Sequence, residues 1–237
     1  MLADRVRALT FDVFGTLTDW RGSIVREVGA FAEVHGLELD AEAFALAWRA
    51  GYGPAMRRVE EGELPRQTVD SLHRAILDEL VERFDVSGVD ATALDELNSA
   101  WHRLELWPDV RPGLERLRGH FVLAPFSNGN VALLEELSAR AGLTWDTVLS
   151  AETLGHFKPH PAAYQGAARR LVLDPEQVLM VAAHNRDLDG ARAQGFRTAF
   201  VQRSTEYGPN QTMDLEPSPG VDVAVSSIGE LADALLG

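Results

Sequence analysis

The sequence predicts an α/β fold: a Rossmann-like parallel sheet forming the core, with a helical cap inserted after the first strand. Three observations lead there. A short apolar run at residues 6–14, rich in Val, Leu and Phe, ends at Gly15-Thr16 as a buried strand does. Residues from about 23 to 107 then carry helix signals and little strand character. After Pro108, short apolar runs alternate with helical segments, which implies a parallel sheet covered on both faces.

The elements follow in order. Ser23 is the expected cap of a first helix that stops at Gly36, and Asp40 of a second. Pro65 and Asp90 suit the starts of two more. Beyond Pro108, strands are expected at residues 121–126, 147–150, 178–183, 198–201 and 221–225. Helices are expected at 131–141, 161–171 and 187–194, with Gly142 and Gly195 as stops. The polar, Gly/Pro-rich stretch 204–220 reads as a surface loop. The division is then an α/β core of residues 1–18 and 108–237 and a cap of residues 19–107, lying over the sheet edge where such folds bind ligands.

Acidic residues outnumber basic ones 36 to 22, giving a formal charge of −14. A field of that sign repels nucleic acid and anionic membranes, so neither is an expected partner. It permits an anionic small molecule wherever a local Arg or Lys dominates a pocket. The chain has no cysteine, which excludes disulfides, thiolate metal sites and a Cys nucleophile. Its first residues lack the apolar core of a signal peptide and no apolar run reaches spanning length, so the cytoplasm is the expected compartment.

Chemistry-bearing residues fall at or just beyond the C-terminal ends of the expected strands: Asp12, Ser127-Asn128, Lys158 and Asp187. Singly each is ordinary, since an Asp after a strand usually caps or turns and a Lys is usually solvated. Together they would meet on one edge of one sheet.

Phe11-Asp12-Val13-Phe14-Gly15-Thr16-Leu17, Ser127-Asn128-Gly129, Lys158-Pro159 and Asp187 resemble the four motifs of the haloacid dehalogenase superfamily, over nearly the whole chain. The resemblance implies that Asp12 is a nucleophile, that Lys158 supports its charge and that Ser127 hydrogen-bonds the bound anion. Two departures separate the chain from the superfamily's phosphatases. The position two residues after the nucleophile, where those enzymes keep a general-acid Asp, is Phe14. A halide leaves without the proton that an alkoxide requires. In the fourth motif Ala183 replaces a carboxylate that holds Mg²⁺, so no metal or other cofactor is expected.

On the cap, Trp48-Arg49 resembles the pair with which L-2-haloacid dehalogenases cradle the departing halide. The same resemblance has Asn128 helping to hold the halide, Ser127 the substrate carboxylate, and Tyr164 lining the pocket. Thr16 is expected to orient Asp12, and backbone N–H groups at Val13 and Phe14 to help bind the carboxylate. Arg186 stands where such enzymes carry an aromatic, so that wall of the pocket is expected to differ. His184 has two readings: a titratable ring, of ordinary pKa about 6.5, that shares in water activation, or a hydrogen-bond partner of Asp187. The expected reaction is attack of Asp12 on the halogen-bearing carbon of a small 2-haloacid, then hydrolysis of the ester by water polarised by Asp187. Halide and a 2-hydroxyacid are the products, and family resemblance implies a homodimer. A Mg²⁺-dependent phosphatase and a silent binding protein on the same fold are the alternatives.

Overall fold

The computed structural model describes Leu2 and residues 4–237. Strand β1 (Ala8–Phe11) leads into β2 (Thr18–Asp19), and the helices α1 (Trp20–His35), α2 (Ala41–Glu60), α3 (Val69–Arg83) and α4 (Ala91–Asn98) follow. Next come β3 (Glu105–Leu106), α5 (Val110–Leu117), β4 (Val122–Ser127), α6 (Val131–Ala141), β5 (Leu149–Ser150) and α7 (Ala151–Leu154). The chain continues with α8 (Pro161–Leu171), β6 (Val178–Ala182), α9 (Asn185–Ala193), β7 (Arg197–Val201), β8 (Val223–Val225) and α10 (Ile228–Leu236).

Six strands form one sheet in the order β5-β4-β1-β6-β7-β8, and every neighbouring pair is parallel. β1 lies between β4 and β6, with all four of its residues buried. A strand buried on both faces needs the unbroken apolar run that the sequence supplies here. The Asp12 N–H donates to the Val181 carbonyl at 2.9 Å, so the ladder holds one residue past β1 and fixes Asp12 at the sheet edge.

The segment between β2 and β3 is helical, and those two short strands pair antiparallel as the chain leaves the sheet and returns. Trp101, in the single turn of 3₁₀ helix after α4, stacks on Trp20 of α1 and meets Trp48 of α2 edge-on at 5.5 Å. Phe14, just beyond β1, meets the Trp101 ring edge-on from below. His73 of α3 stacks on Trp101 at 4.1 Å with neither ring nitrogen partnered among the described residues. Burial, then the Arg49 charge, push its pKa down to about 3, so it stays neutral and packs as an aromatic.

Several boundaries differ from expectation. Asp19, not Ser23, caps α1, accepting from the Gly22 N–H at 2.8 Å, while Ser23 hydrogen-bonds the Asp19 carbonyl. α3 starts after Thr68 rather than at Pro65, because Thr68 accepts from the Ser71 N–H. The first strand is shorter than expected, since residues 6–7 and 12–14 lie outside it and the turn follows at residues 15–17. α5 and α10 were not anticipated. They pack on each other, with a Cβ on Gly113 placed only 2.7 Å from the Ile228 carbonyl carbon. Stretch 204–220 has no helix or strand, yet it is not all surface: Glu206 is 1% exposed.

One ion pair ties that stretch to the core. Arg203 donates to both carboxylate oxygens of Asp109, at 2.8 and 3.0 Å, and to the Thr16 carbonyl at 3.0 Å. Asp109 also accepts from the Ile228 N–H, at the start of α10. Removing one member of such a pair leaves the other desolvated without compensation. Arg203→Ala is expected to lose about 3 kcal/mol in urea unfolding; a loss below about 0.5 kcal/mol would make the pair an ordinary surface contact.

Candidate active site

Three strand ends and one loop deliver the site. Asp12 follows β1, Asn128 follows β4, Lys158 lies in the loop between α7 and α8, and His184 with Asp187 follows β6. Helix α2 of the cap brings Arg49, Tyr52 and Met56 over them, closing a cavity of about 550 Å³.

Lys158 Nζ sits between two carboxylates, 3.0 Å from Asp12 Oδ1 and 2.5 Å from Asp187 Oδ2. All three residues are buried. Burial opposes the Asp12 charge, but Lys158, then His184 and Thr16, outweigh it and hold the pKa well below the usual carboxylate range. Lys158 is likewise held charged by the two carboxylates against burial. Asp187 moves the other way: burial raises its pKa, and the Asp12 charge adds to the rise. One carboxylate is thus fixed as an anion and its neighbour is readier to take a proton.

Thr16 Oγ1 donates to Asp12 Oδ2 at 2.7 Å and accepts from the Ala183 N–H at 2.9 Å. Asn128 grips the Lys158 backbone from both sides, accepting from its N–H at 2.7 Å and donating to its carbonyl at 3.2 Å. Val13 is buried, and Phe14 lines the cavity as an apolar wall. Arg49 also lines it, its guanidinium lying 4.8 Å from the Tyr52 ring centre and 5.4 Å from that of Trp20. The Arg49 Nε has no hydrogen-bond partner among the described residues. Arg186 forms part of the wall.

Three expectations need correction. Tyr164 is fully buried outside the cavity wall, and its hydroxyl donates to Asp187 Oδ1 at 2.6 Å, so it supports Asp187 from beneath. Tyr52 occupies the pocket instead; at three residues past Arg49 it shares that helix face, a spacing readable in the sequence. Ser127 is buried with its Oγ accepting from the Gly129 N–H at 3.0 Å, and it is not part of the cavity wall. His184 does not pair with Asp187. Its Nδ1 lies 3.2 Å from Asp12 Oδ2 and its Nε2 2.9 Å from Glu206 Oε2. Nothing in the sequence marks Glu206, which arrives from a polar stretch across the sheet edge.

A metal would meet a cation already in place between Asp12 and Asp187. Glu60, His156 and His160 bring ligand atoms within 4.8 Å of one another elsewhere, at the contact of α2 with the Lys158 loop. Glu60 is there engaged by the Phe157 N–H and by His156 Nδ1, joining the cap to the core.

The chain belongs to the haloacid dehalogenase-like hydrolase family, whose model matches residues 6–195. Within that class it is similar to a defluorinating L-2-haloacid dehalogenase of known crystal structure, with 42% identity and a TM-score of 0.96 over 98% of this chain and 96% of the other. It is 30% identical over 221 residues to (S)-2-haloacid dehalogenase 4A of Burkholderia cepacia, covering 85% of each chain. The L-2-haloacid dehalogenase of Xanthobacter autotrophicus, crystallised with chloropropionic acid covalently bound, is 25% identical with a TM-score of 0.82 over 98% of this chain and 99% of that one. No described helix is long and apolar enough to cross a membrane.

Because the folded pKa of Asp12 is depressed, its contribution to stability is present above the ordinary carboxylate range and is lost as pH falls through the lowered value. A carbon-13 titration of the Asp12 carboxyl is expected to show no step at the ordinary 3.8 and only the start of one below it. In Lys158→Met, burial loses its main opponent and the step moves upward. A wild-type step at or above 3.8 would contradict the site electrostatics.

Proposed function

We propose that this protein hydrolyses the carbon–halogen bond of small 2-haloacids, with Asp12 as nucleophile and an aspartyl ester as intermediate. The observation that carries the reading is the pairing of an anion and a cation across one cavity. Asp12 is held ionised by Lys158 at its floor, and Arg49 projects from the cap with its Nε unpartnered among the described residues. The family membership and the dehalogenases to which the chain is similar support the same chemistry.

In the first step an Asp12 oxygen attacks the halogen-bearing carbon from the side opposite the halide, inverting that centre. Arg49 stabilises the charge growing on the halide, a role strengthened by the aromatic faces of Tyr52 and Trp20 that exclude water. Asn128 assists at the halide through its amide group. The substrate carboxylate is taken by the backbone N–H groups of Val13 and Phe14. The covalent adduct in the Xanthobacter autotrophicus structure supports an ester on this fold. In the second step water cleaves the ester at the carboxyl carbon of Asp12 and releases the 2-hydroxyacid. Phe14 stands where the superfamily's phosphatases keep a general-acid Asp, and Ala183 where they keep a metal-holding carboxylate, so the phosphatase alternative is not favoured. We assign residues 1–18 and 108–237 to the core and 19–107 to the cap, the helical lid on this reaction. The cytoplasm as compartment and a homodimeric state complete the proposal, the second on family resemblance.

Halide release from fluoro-, chloro- and bromoacetate and both 2-chloropropionate enantiomers, after dialysis against EDTA, tests the activity. Arg49→Ala is expected to stay folded by circular dichroism and to lose about 10²–10³ in kcat. Arg49→Lys should recover part of the loss, lacking the planar fork of donors. A folded Arg49→Ala with wild-type kcat would make Arg49 an ordinary residue of the cap.

A further inference from the structure

The two oxygens of Asp12 are not equivalent. Oδ1 faces Lys158 Nζ at 3.0 Å, whereas Oδ2 is bracketed by Thr16 Oγ1 at 2.7 Å and His184 Nδ1 at 3.2 Å. The Thr16 oxygen already accepts from the Ala183 N–H, which turns its own hydrogen toward Asp12. An oxygen held by two donors is the poorer nucleophile, so Oδ1 is the one that bonds the substrate carbon. Oδ2 then becomes the ester carbonyl oxygen, with both donors already placed on it.

We propose that Thr16 Oγ1–H and His184 Nδ1–H form an oxyanion hole on Asp12 Oδ2 for hydrolysis of the aspartyl ester, and that Glu206 is the residue that positions His184 for it. This rests on the dehalogenation proposed above and extends it to the second step. Water oxygen bonds to Asp12 Cγ, the Cγ–Oδ2 π electrons move onto Oδ2, and the Asp187 carboxylate takes the water proton. Collapse re-forms the carbonyl at Oδ2 and breaks the Cγ–Oδ1 bond. The 2-hydroxyacid leaves with the proton from Asp187, and the new Asp12 carboxyl ionises beside Lys158. Donors preset on the oxygen where charge develops are the strongest means of lowering such a barrier.

Glu206 is built into this arrangement. Both its oxygens lie within 3.0 Å of His184 Nε2, and Oε1 also accepts from Trp20 Nε1 at 2.8 Å. Gly15 makes room for it, since a Cβ there would fall 2.1 Å from Glu206 Oε1. With a carboxylate at each ring nitrogen, Glu206 at Nε2 and Asp12 at Nδ1, the doubly protonated ring is favoured, and it directs one N–H to each. Burial disfavours the charged ring, but Glu206 and Asp12 overcome this and lift the His184 pKa well above its ordinary value. Esterification removes the Asp12 charge, leaving Glu206 as the carboxylate that keeps His184 protonated when the oxyanion forms. The other ionisable groups facing this cavity are the carboxylates Asp187 and Asp214, the cations Lys158, Arg49 and Arg186, and the phenols Tyr52 and Tyr207.

The test follows the two steps separately by rapid-quench halide release and by intact mass of the adduct on chloroacetate. Wild-type turnover comes first: no halide at all would sink the dehalogenase reading, whereas the outcomes below bear on the oxyanion hole. His184→Gln and Glu206→Gln are expected to release about one halide per site at a near wild-type rate and then stall as the ester. Steady-state turnover should fall by about 10² in His184→Gln. Wild-type ester hydrolysis is expected to decline at alkaline pH as His184 loses its proton, and in Glu206→Gln that decline moves to lower pH. A Glu206 with a merely structural role would leave the position of the limb unchanged and would overturn its assignment. Halide release slowed as much as turnover, with no ester accumulating, would overturn the proposal. So would wild-type hydrolysis that accelerates through the His184 titration, which would make the ring a base toward water. That profile decides the question even if both variants fail to fold.

Discussion

Everything at this sheet edge is arranged around the Lys158 ammonium held between Asp12 and Asp187. Two carboxylates buried side by side would exclude each other's charge, and each desolvated ion costs several kcal/mol on its own. Lys158 makes the set tolerable, and the compromise is unequal: Asp12 keeps its charge while Asp187 is shifted toward protonation. The surroundings exist to hold that geometry. Asn128 fixes the Lys158 backbone, Tyr164 holds Asp187 from below, and Thr16 holds the other oxygen of Asp12.

The position of Asp12 depends in turn on the sheet. β1 is central and parallel on both sides, so its end cannot drift without breaking two ladders. Cap and core are joined by contacts of a different kind. Phe14 of the core meets the Trp101 ring of the cap edge to face, Trp101 is itself held by Trp20 and Trp48 within the cap, and Glu60 accepts from the loop that carries Lys158. Movement of α2 would therefore be felt at both the halide end of the cavity, through Arg49, and at the nucleophile, through Lys158.

Much of this was readable in the sequence because it is local or periodic. The α/β class, the central strand, and helices α6 and α8 to the residue came from apolar runs and their stops. Asp12, Lys158 and Asp187 came from strand-end placement and the resemblance that joined them. What was not readable depends on distant chain meeting distant chain. Glu206 sits in a Gly/Pro-rich stretch whose composition says surface, and the partners that hold it inward, Trp20 and His184, together with the space above Gly15, come from distant parts of the chain. The sequence puts Tyr164 in the pocket wall and offers Asp187 as a partner of His184, whereas Tyr164 bonds Asp187 and His184 faces Asp12, because side-chain direction is set by packing that one segment does not contain. Helix α10 lies beyond the last expected strand, outside the alternation from which the other core helices are read.

The central claim is that Asp12, not water, forms the first bond to the substrate carbon. Single turnover in heavy-oxygen water, followed by mass analysis of the Asp12 peptide and of the product, addresses it directly. The account predicts heavy oxygen in the Asp12 carboxylate and none in the newly formed hydroxyl of the product. Label in the product hydroxyl after one turnover, with Asp12 unlabelled, would contradict it and assign the attack to water.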